Sequence, residues 1–471
     1  MYYRSEGRSA CADVIPYYEN GTFYLFYLRD LREPERLGEG CPWCLLTTKD
    51  FVNYTEHGEV LPRGPVGAQD RWVFTGSCIK ANDEYYIFYT GHNHHLAEEG
   101  KPTQKLLLAK SKDLLHWEKD PTFVMEAPEW LEMHDYRDPY VYYDDVHREY
   151  RMLITGRLKT DAPENSKGMT LLLVSQDLYH WELRQEPFYA PQAYYAHECP
   201  DLFKMGDWWY LVFSEFPDKC VTTYRMAKNP DGPWITPKVN TFDAHAFYAA
   251  KTASDGNRRI IFGWNCTKEG ECDDGSWQWG GNIIAHELVQ DADGLLYVKC
   301  PQEILNAYSE LVAITNGKEW SRVESLPNGF TVGSNAGRSI KLLGKMPVNC
   351  MFETEFTVAD DVGDFGIILR SDEMANRYYT VKFEPMYNRV AMNKIPRRDA
   401  TVHMQADTER YCPIIPGQKN KLRLIVEGSV LEAYINDSIA MSARLYDYPE
   451  GQIGLYAHNS TVTFENIQLY R

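Results

Sequence analysis

Apolar and polar positions alternate with a period of two through most of this chain, the spacing of strands whose two faces meet different surroundings. Five segments share one form: YYENGTFYLFY (17–27), KANDEYYIFYTG (80–91), YYDDVHREYRMLITG (142–156), LFKMGDWWYLVFS (202–214) and ASDGNRRIIFGW (253–264). Each is an alternating run, a polar turn with Gly, Asp or Asn, and a second apolar run, which predicts a β-hairpin. A second series interleaves with it. TTKDFVNY (47–54), SKDLLHW (111–117) and SQDLYHW (175–181) place Asp50, Asp113 and Asp177 at near-equal intervals. Flanking apolar segments such as LLLAKS (106–111) extend each hairpin towards four strands. A repeat this short cannot bury its own core and must stack on its neighbours. Five such units predict a five-bladed β-propeller over residues 1–300.

The repeat stops near residue 301. PQEILNAYSELVAITNGKEW (301–320) reads as a linker, assigned to 301–319, with one short helix. Beyond it the period of two returns in FETEFTV (352–358), FGIILRS (365–371), YYTVKFE (378–384), KLRLIVEGSVLEAYIND (421–437) and GQIGLYAH (451–458). Turn residues between these runs predict a β-sandwich over 320–471. It holds no paired acid motif, so a structural or carbohydrate-contacting role is expected. The fold class is therefore all-β, an N-terminal five-bladed propeller followed by a C-terminal sandwich.

Composition narrows the function. The chain has 33 Tyr and 12 Trp, and flat rings stack well on the apolar faces of sugars. A net charge of −18 repels phosphate backbones and argues against a nucleic-acid partner. No apolar run has the length of a membrane span. The N-terminal MYYRSEGRSACADV lacks an apolar core for a signal peptide, so a cytoplasmic location is expected. The 11 cysteines, odd in number and without framework spacing, are expected to be reduced. Cys41-Pro-Trp-Cys44 has redox spacing but no strand–helix–strand context, and no second such pair completes a zinc site. His92-Asn93-His94-His95 reads as a polar loop. Neither a metal nor an organic cofactor is called for, and nothing specifies an oligomeric state.

Three acids remain. Asp13 in ADVIPYY, Asp138 in RDPYVYY and Glu198 in ECPDLF enter three different blades at the same phase, each just before an outer hairpin strand. Residues at equivalent positions converge on a propeller's central funnel. Glycoside hydrolysis needs two carboxyl groups with opposite tasks, one ionised and one holding a proton. Asp13, followed by Val14-Ile15-Pro16, suits the nucleophile; Glu198, with a longer arm, suits the acid. Asp138 stands beside Arg137, which favours an ionised group that binds hydroxyls as charge develops.

These residues resemble glycoside hydrolase family 32, the fructan and sucrose hydrolases. The acidic motifs YRDPY (136–140) and HECPDLF (197–203) carry the resemblance. WVFTGSCI (72–79), FYAAKTASDGNRRIIFGW (247–264) and WGGNIIAHEL (279–288) support it, as does LRLIVEGSVLEAYIND in the sandwich. The resemblance implies the propeller-plus-sandwich architecture, a retaining mechanism and a small oligosaccharide substrate. It implies Asp13 as nucleophile, Asp138 as transition-state stabiliser and Glu198 as acid/base. Trp43, Phe74, Ser77, His197 and Trp279 would face the substrate, with Arg137 and Cys199 orienting the acids.

This chain departs from that pattern around the nucleophile, where the family's Trp-Met-Asn-Asp-Pro-Asn-Gly is replaced by SACADVIPYY. Ala12 stands for an Asn, Leu28 for a Gln and Ala246 for an Asp. All three losses fall in the sugar-binding subsite. The expected activity is release of fructose from a small intracellular fructoside. A propeller glycosidase acting on arabinosides or xylosides, a fructosyltransferase, and a non-catalytic carbohydrate-binding propeller stay open on the residues alone.

Overall fold

The computed structural model describes residues 1–333, 336–360, 363–396 and 406–471. Five antiparallel units follow one another. Blade I comprises Ala10–Glu19, Thr22–Asp30, Trp43–Thr48 and Thr55–Leu61; blade II, Trp72–Ala81, Glu84–His92, Gln104–Ser111 and Glu118–Met125. Blade III comprises Leu131–Asp144, Glu149–Leu158, Gly168–Ser175 and Glu182–Leu183. Blade IV has Ala196–Met205, Trp208–Phe216 and Val221–Ala227, and bridges at Ile235 and Thr241 stand at its outer edge. Blade V comprises Phe247–Ser254, Arg259–Lys268, Trp277–Gln290 and Leu296–Lys299. The ring closes where Cys11 of blade I pairs with Gly281 of blade V.

Local chemistry sets the turns. Asn20-Gly21 and Asn82-Asp83 take positive φ (47°, 79° and 50°, 61°), the left-handed pair that two-residue hairpins need. The Asp50, Asp113 and Asp177 repeat is one turn built three times. In each, Asp Oδ1 accepts two backbone N–H groups at 2.8–3.0 Å. The preceding Thr48, Ser111 or Ser175 hydroxyl accepts a third, from Phe51, Leu114 or Leu178, at 2.9–3.0 Å. These aspartates cap turns rather than perform chemistry.

The first strand of each blade carries an irregularity at the same level. Register slips occur at Ala12/Val14 and Phe74/Gly76, opposite Arg137 and Tyr140, at Glu198/Asp201 and at Tyr248/Lys251. The three acids therefore do not precede outer strands, as the sequence suggests. They lie inside the innermost strands, at bulges that turn a side chain off the pleat.

The sandwich is two seven-stranded sheets. Its core is built on Phe356, Phe365, Phe383 and Phe464, with Phe365 and Phe383 stacked at 5.2 Å. The segment read as a linker is not free. Gln302–Asn306 is helical. Glu310 and Val312 then donate to the carbonyls of Arg471 and Leu469, and Thr315 donates to that of Leu343. The chain from 310 is thus already tied to the sandwich.

Candidate active site

The bulges create the site. Asp13 (φ 29°), Asp138 (φ 61°) and Cys199 (φ 53°) all lie in left-handed backbone, which non-glycine residues adopt only when their surroundings hold them there. The result is a hub cavity of about 680 Å³ into which Asp13, Asp138 and Glu198 all project. Aromatic walls rise at its mouth, where Phe74 and Trp279 stand 6.1 Å apart.

Each acid has a different set of partners. Asp13 accepts from the Thr75 hydroxyl at 2.5 Å and from the Trp264 indole at 3.2 Å, with no cation beside it. Burial pushes its carboxyl up to about 7, and, with the Asp138 and Glu198 charges adding to it, outweighs the two hydrogen bonds. Asp138 Oδ2 accepts the Cys199 backbone N–H at 2.9 Å and lies 3.1 Å from the Thr155 hydroxyl, which is also held by the His197 carbonyl at 2.6 Å. Its Oδ1 takes no hydrogen bond from any described residue. Glu198 accepts from Arg137 at 3.0 Å and from the Tyr248 hydroxyl at 2.7 Å. Burial raises its proton affinity, and Asp138 reinforces that against the pull of Arg137.

Arg137 is the fixed cation of the hub. It donates to Asp135 at 2.6 Å, and Asp135 in turn receives Arg157 at 2.8 Å. Arg157 lies over the Tyr195 ring at 3.5 Å, a cation–π contact that holds the pair from behind. Cys199 joins two acids, through its N–H to Asp138 and its Sγ to Asp13 at 3.9 Å. Burial keeps that thiol well above its usual range, so it acts as a neutral weak donor.

Of the residues expected to face the substrate or orient the acids, Phe74, Arg137, Cys199 and Trp279 line the cavity. Trp43, Ser77 and His197 do not. Trp43 is buried in the core, its indole donating to the Phe74 carbonyl at 3.2 Å, so it supports the wall from behind. Ser77 accepts the Val141 N–H at 2.8 Å and ties blade II to blade III. His197 is stacked on Phe213 at 4.6 Å and faces away from the cavity, and burial holds its imidazole down to about 3. Alternation along the strand explains this last result, since His197 and Glu198 point to opposite faces.

Sequence reasoning missed Thr75, Gln104, Asp135, Tyr248, Trp264 and Gln278, all in the cavity wall. Thr75, Tyr248 and Trp264 lay within quoted motifs. The other signal was phase, because Thr75 and Tyr248 flank the bulges of blades II and V, as the acids do in the other three.

All eleven cysteines are free thiols. Cys41 and Cys44 are buried, and burial raises both thiols above their usual range, which suits small core residues and not a redox pair. Among the described residues, two groups of side chains have ligand atoms close enough for a cation: the exposed Glu39, His94 and His95, and the buried Asp243, His286 and Glu432. Neither touches the hub cavity's acids.

A bulged propeller hub that gathers two acids paired with one arginine, one of them with a bare oxygen, and a third acid without a cation, beneath aromatic walls, is the apparatus of a glycosidase. Comparison with known proteins agrees. Residues 15–297 match the glycosyl hydrolases family 32 N-terminal domain and residues 325–471 its C-terminal domain. The chain belongs to glycosyl hydrolase family 32 and is a glycoside hydrolase. It is 24% identical to a sucrose-6-phosphate hydrolase of Escherichia coli, over 91% of this chain and 86% of that one. A β-fructofuranosidase (insoluble isoenzyme) of Arabidopsis thaliana is 22% identical over 94% and 84%. The fold is similar to that of fructan 1-exohydrolase IIa from Cichorium intybus, with a TM-score of 0.76, 17% identity, and coverage of 99% and 96%.

Proposed function

We propose that this glycoside hydrolase releases fructose from small fructosides within the cell, with retention of configuration. The observation that carries this reading is the meeting of Asp13, Asp138 and Glu198 in one cavity. Relatives named for sucrose 6-phosphate and for β-fructofuranosides supply the sugar class.

In the first step a carboxylate oxygen of Asp13 attacks the anomeric carbon while Glu198 gives its proton to the departing glycosidic oxygen. The carbon–oxygen bond to the leaving group breaks as the bond to Asp13 forms. In the second step Glu198 takes a proton from water, whose oxygen displaces Asp13. Asp138, with Oδ2 fixed by Cys199, presents Oδ1 to the sugar's hydroxyls as positive charge develops. Arg137 and Tyr248 aim Glu198.

The test is a panel of fructosides, arabinosides and xylosides assayed for released sugar, with NMR reading the anomer formed first. Fructose release with retention is expected. Release of arabinose or xylose alone, or of the inverted anomer, overturns the reading.

A further inference from the structure

The positions at which the family resemblance leads one to expect a sugar-binding Asn and Gln hold Ala12 and Leu28. The two face each other across blade I, both fully buried. The recognition of hydroxyls must then come from elsewhere in the cavity wall, and two side chains there are built for it.

Gln104 is only 6% exposed. Its Oε1 accepts the Tyr136 backbone N–H at 3.1 Å and a guanidinium N–H of Arg137 at 3.4 Å. Gln278 Oε1 accepts from Arg32 at 3.1 Å and from the Thr267 hydroxyl at 3.3 Å. A guanidinium has donors only, so in each case the oxygen must face the arginine and the amide cannot be flipped. The NH₂ group of each glutamine is left as a pure donor. Neither makes a hydrogen bond to any described residue, and both side chains line the hub cavity. An amide whose oxygen is anchored and whose donors open on a cavity is placed to give those donors to a ligand.

Their places differ. Gln104 stands beside Arg137, the residue that grips Glu198. Gln278 lies between Trp277 and Trp279 in the cavity wall, and Trp279 is 37% exposed. Arg32 also holds the Trp279 carbonyl at 2.6 Å, so it sets the whole aromatic segment.

We propose that Gln104 and Gln278 are the specificity-determining donors of this enzyme. Gln104 binds a hydroxyl oxygen of the sugar next to the acids, and Gln278 binds one on the leaving sugar, whose apolar face lies on Trp279. The enzyme thereby selects a disaccharide or longer sugar over a small non-sugar aglycone. This rests on the glycosidase reading and deepens it.

The probe is the substitution Gln→Glu, which keeps an oxygen for the arginine and exchanges the donors for a second carboxylate oxygen, whose added charge the same arginine can pair. A merely structural role would leave stability unchanged or improved and ligand affinity unaltered. Titration calorimetry would use the full chain in a Glu198→Gln background, so that no ligand is consumed. The ligands are fructose, sucrose and matching arabinose and xylose disaccharides. Gln104→Glu should raise Kd about tenfold or more for both the monosaccharide and the disaccharide of whichever sugar binds. Gln278→Glu should do so for the disaccharide only, with neither variant losing melting temperature. Unchanged Kd within about twofold in both variants overturns the inference, as does a parent that binds none of these sugars. Binding of arabinose or xylose ligands in place of fructose ones overturns the fructoside reading instead, and the same fold-changes then judge the glutamines.

Discussion

Two buried clusters of carboxylates can be set side by side, and only one carries the reaction proposed above. In the hub, Asp13, Asp138 and Glu198 surround Arg137. At the seam between propeller and sandwich, Asp243 and His286 meet Glu432, Ser442 and Tyr434 of the second domain, all buried. Asp243 Oδ1 accepts the N–H groups of Ala244 and Ser442 at 2.5 and 2.7 Å; its Oδ2 receives His286 at 3.0 Å and the Ser442 hydroxyl at 2.7 Å. Glu432 is held by Asn265 at 3.3 Å and by Ser442 at 3.0 Å. Every carboxylate oxygen at the seam is engaged by the protein itself. In the hub, Asp138 Oδ1 is not, and the NH₂ groups of Gln104 and Gln278, in the wall of the same cavity, are equally bare. Burial and like charge perturb proton affinity in both places. Unfilled hydrogen-bonding capacity facing a cavity is what separates a reaction site from a structural fastener.

The contrast breaks most sharply on substitution. Asp13→Ala, Asp13→Asn and Glu198→Gln should each lower turnover at least roughly 10³-fold, because nucleophile and acid have no substitutes. The fold should survive. Asp243→Ala should do the reverse. It strips the seam of its anion, costs about 3–5 kcal/mol in unfolding free energy, and leaves kcat of the folded enzyme within about twofold. Denaturation and steady-state rates on the same preparations decide this, and a loss of kcat at the seam matching that at the hub would erase the distinction.

The pH profile tests the hub next. Reaction requires Asp13 ionised and Glu198 protonated, so the rate falls on the acid side as Asp13 takes up a proton. With its carboxyl raised to about 7 from a usual 3.8, the acid limb of kcat/KM should lie far above pH 4, towards 7. Both limbs belong to the three acids as a set. The same shift has a stability consequence. A carboxyl raised in the folded state contributes stability that is complete below about 3.8 and lost as pH rises through about 7. Asp13→Asn should therefore melt higher than the parent at pH 8 and alike at pH 4. An acid limb near pH 4, or no gain at pH 8, would contradict the burial of this acid.

The fold was legible because its signals are local. Hairpin turns at Asn20-Gly21 and Asn82-Asp83 and the capped turns at Asp50, Asp113 and Asp177 are written in consecutive residues. The three acids were legible by motif and by equal phase, although their place inside the inner strands was not, since a bulge depends on the partner strand. His197 and Trp43 show the limit of reading motifs as contact lists. Neighbours of a catalytic residue along a strand alternate in direction, so half of any such motif packs behind the wall. Gln104 and Gln278 could not be found at all, because their significance lies in hydrogen bonds to residues distant in the chain.

The smallest effect sharpens the seam. Ser442 Oγ lies 2.7 Å from Asp243 Oδ2 and 3.0 Å from Glu432 Oε2, yet a hydroxyl has a single proton to give. Burial, with the charge of Asp243 adding to it, raises Glu432 well above the usual carboxyl range. At Asp243 burial pushes the same way, but the hydrogen bond and charge of His286 win and hold it low. The consistent arrangement is a relay in which protonated Glu432 donates to Ser442 and Ser442 donates to ionised Asp243. A glutamine fits that relay, its oxygen accepting from Asn265 and its NH₂ donating to Ser442. Glu432→Gln should then change unfolding free energy by less than about 1 kcal/mol, against the several lost in Asp243→Ala. Because the glutamine cannot ionise, the variant should also gain on the parent as pH rises. A cost in Glu432→Gln as large as that of Asp243→Ala would mean that Glu432 is charged and that the seam, too, holds an unbalanced anion.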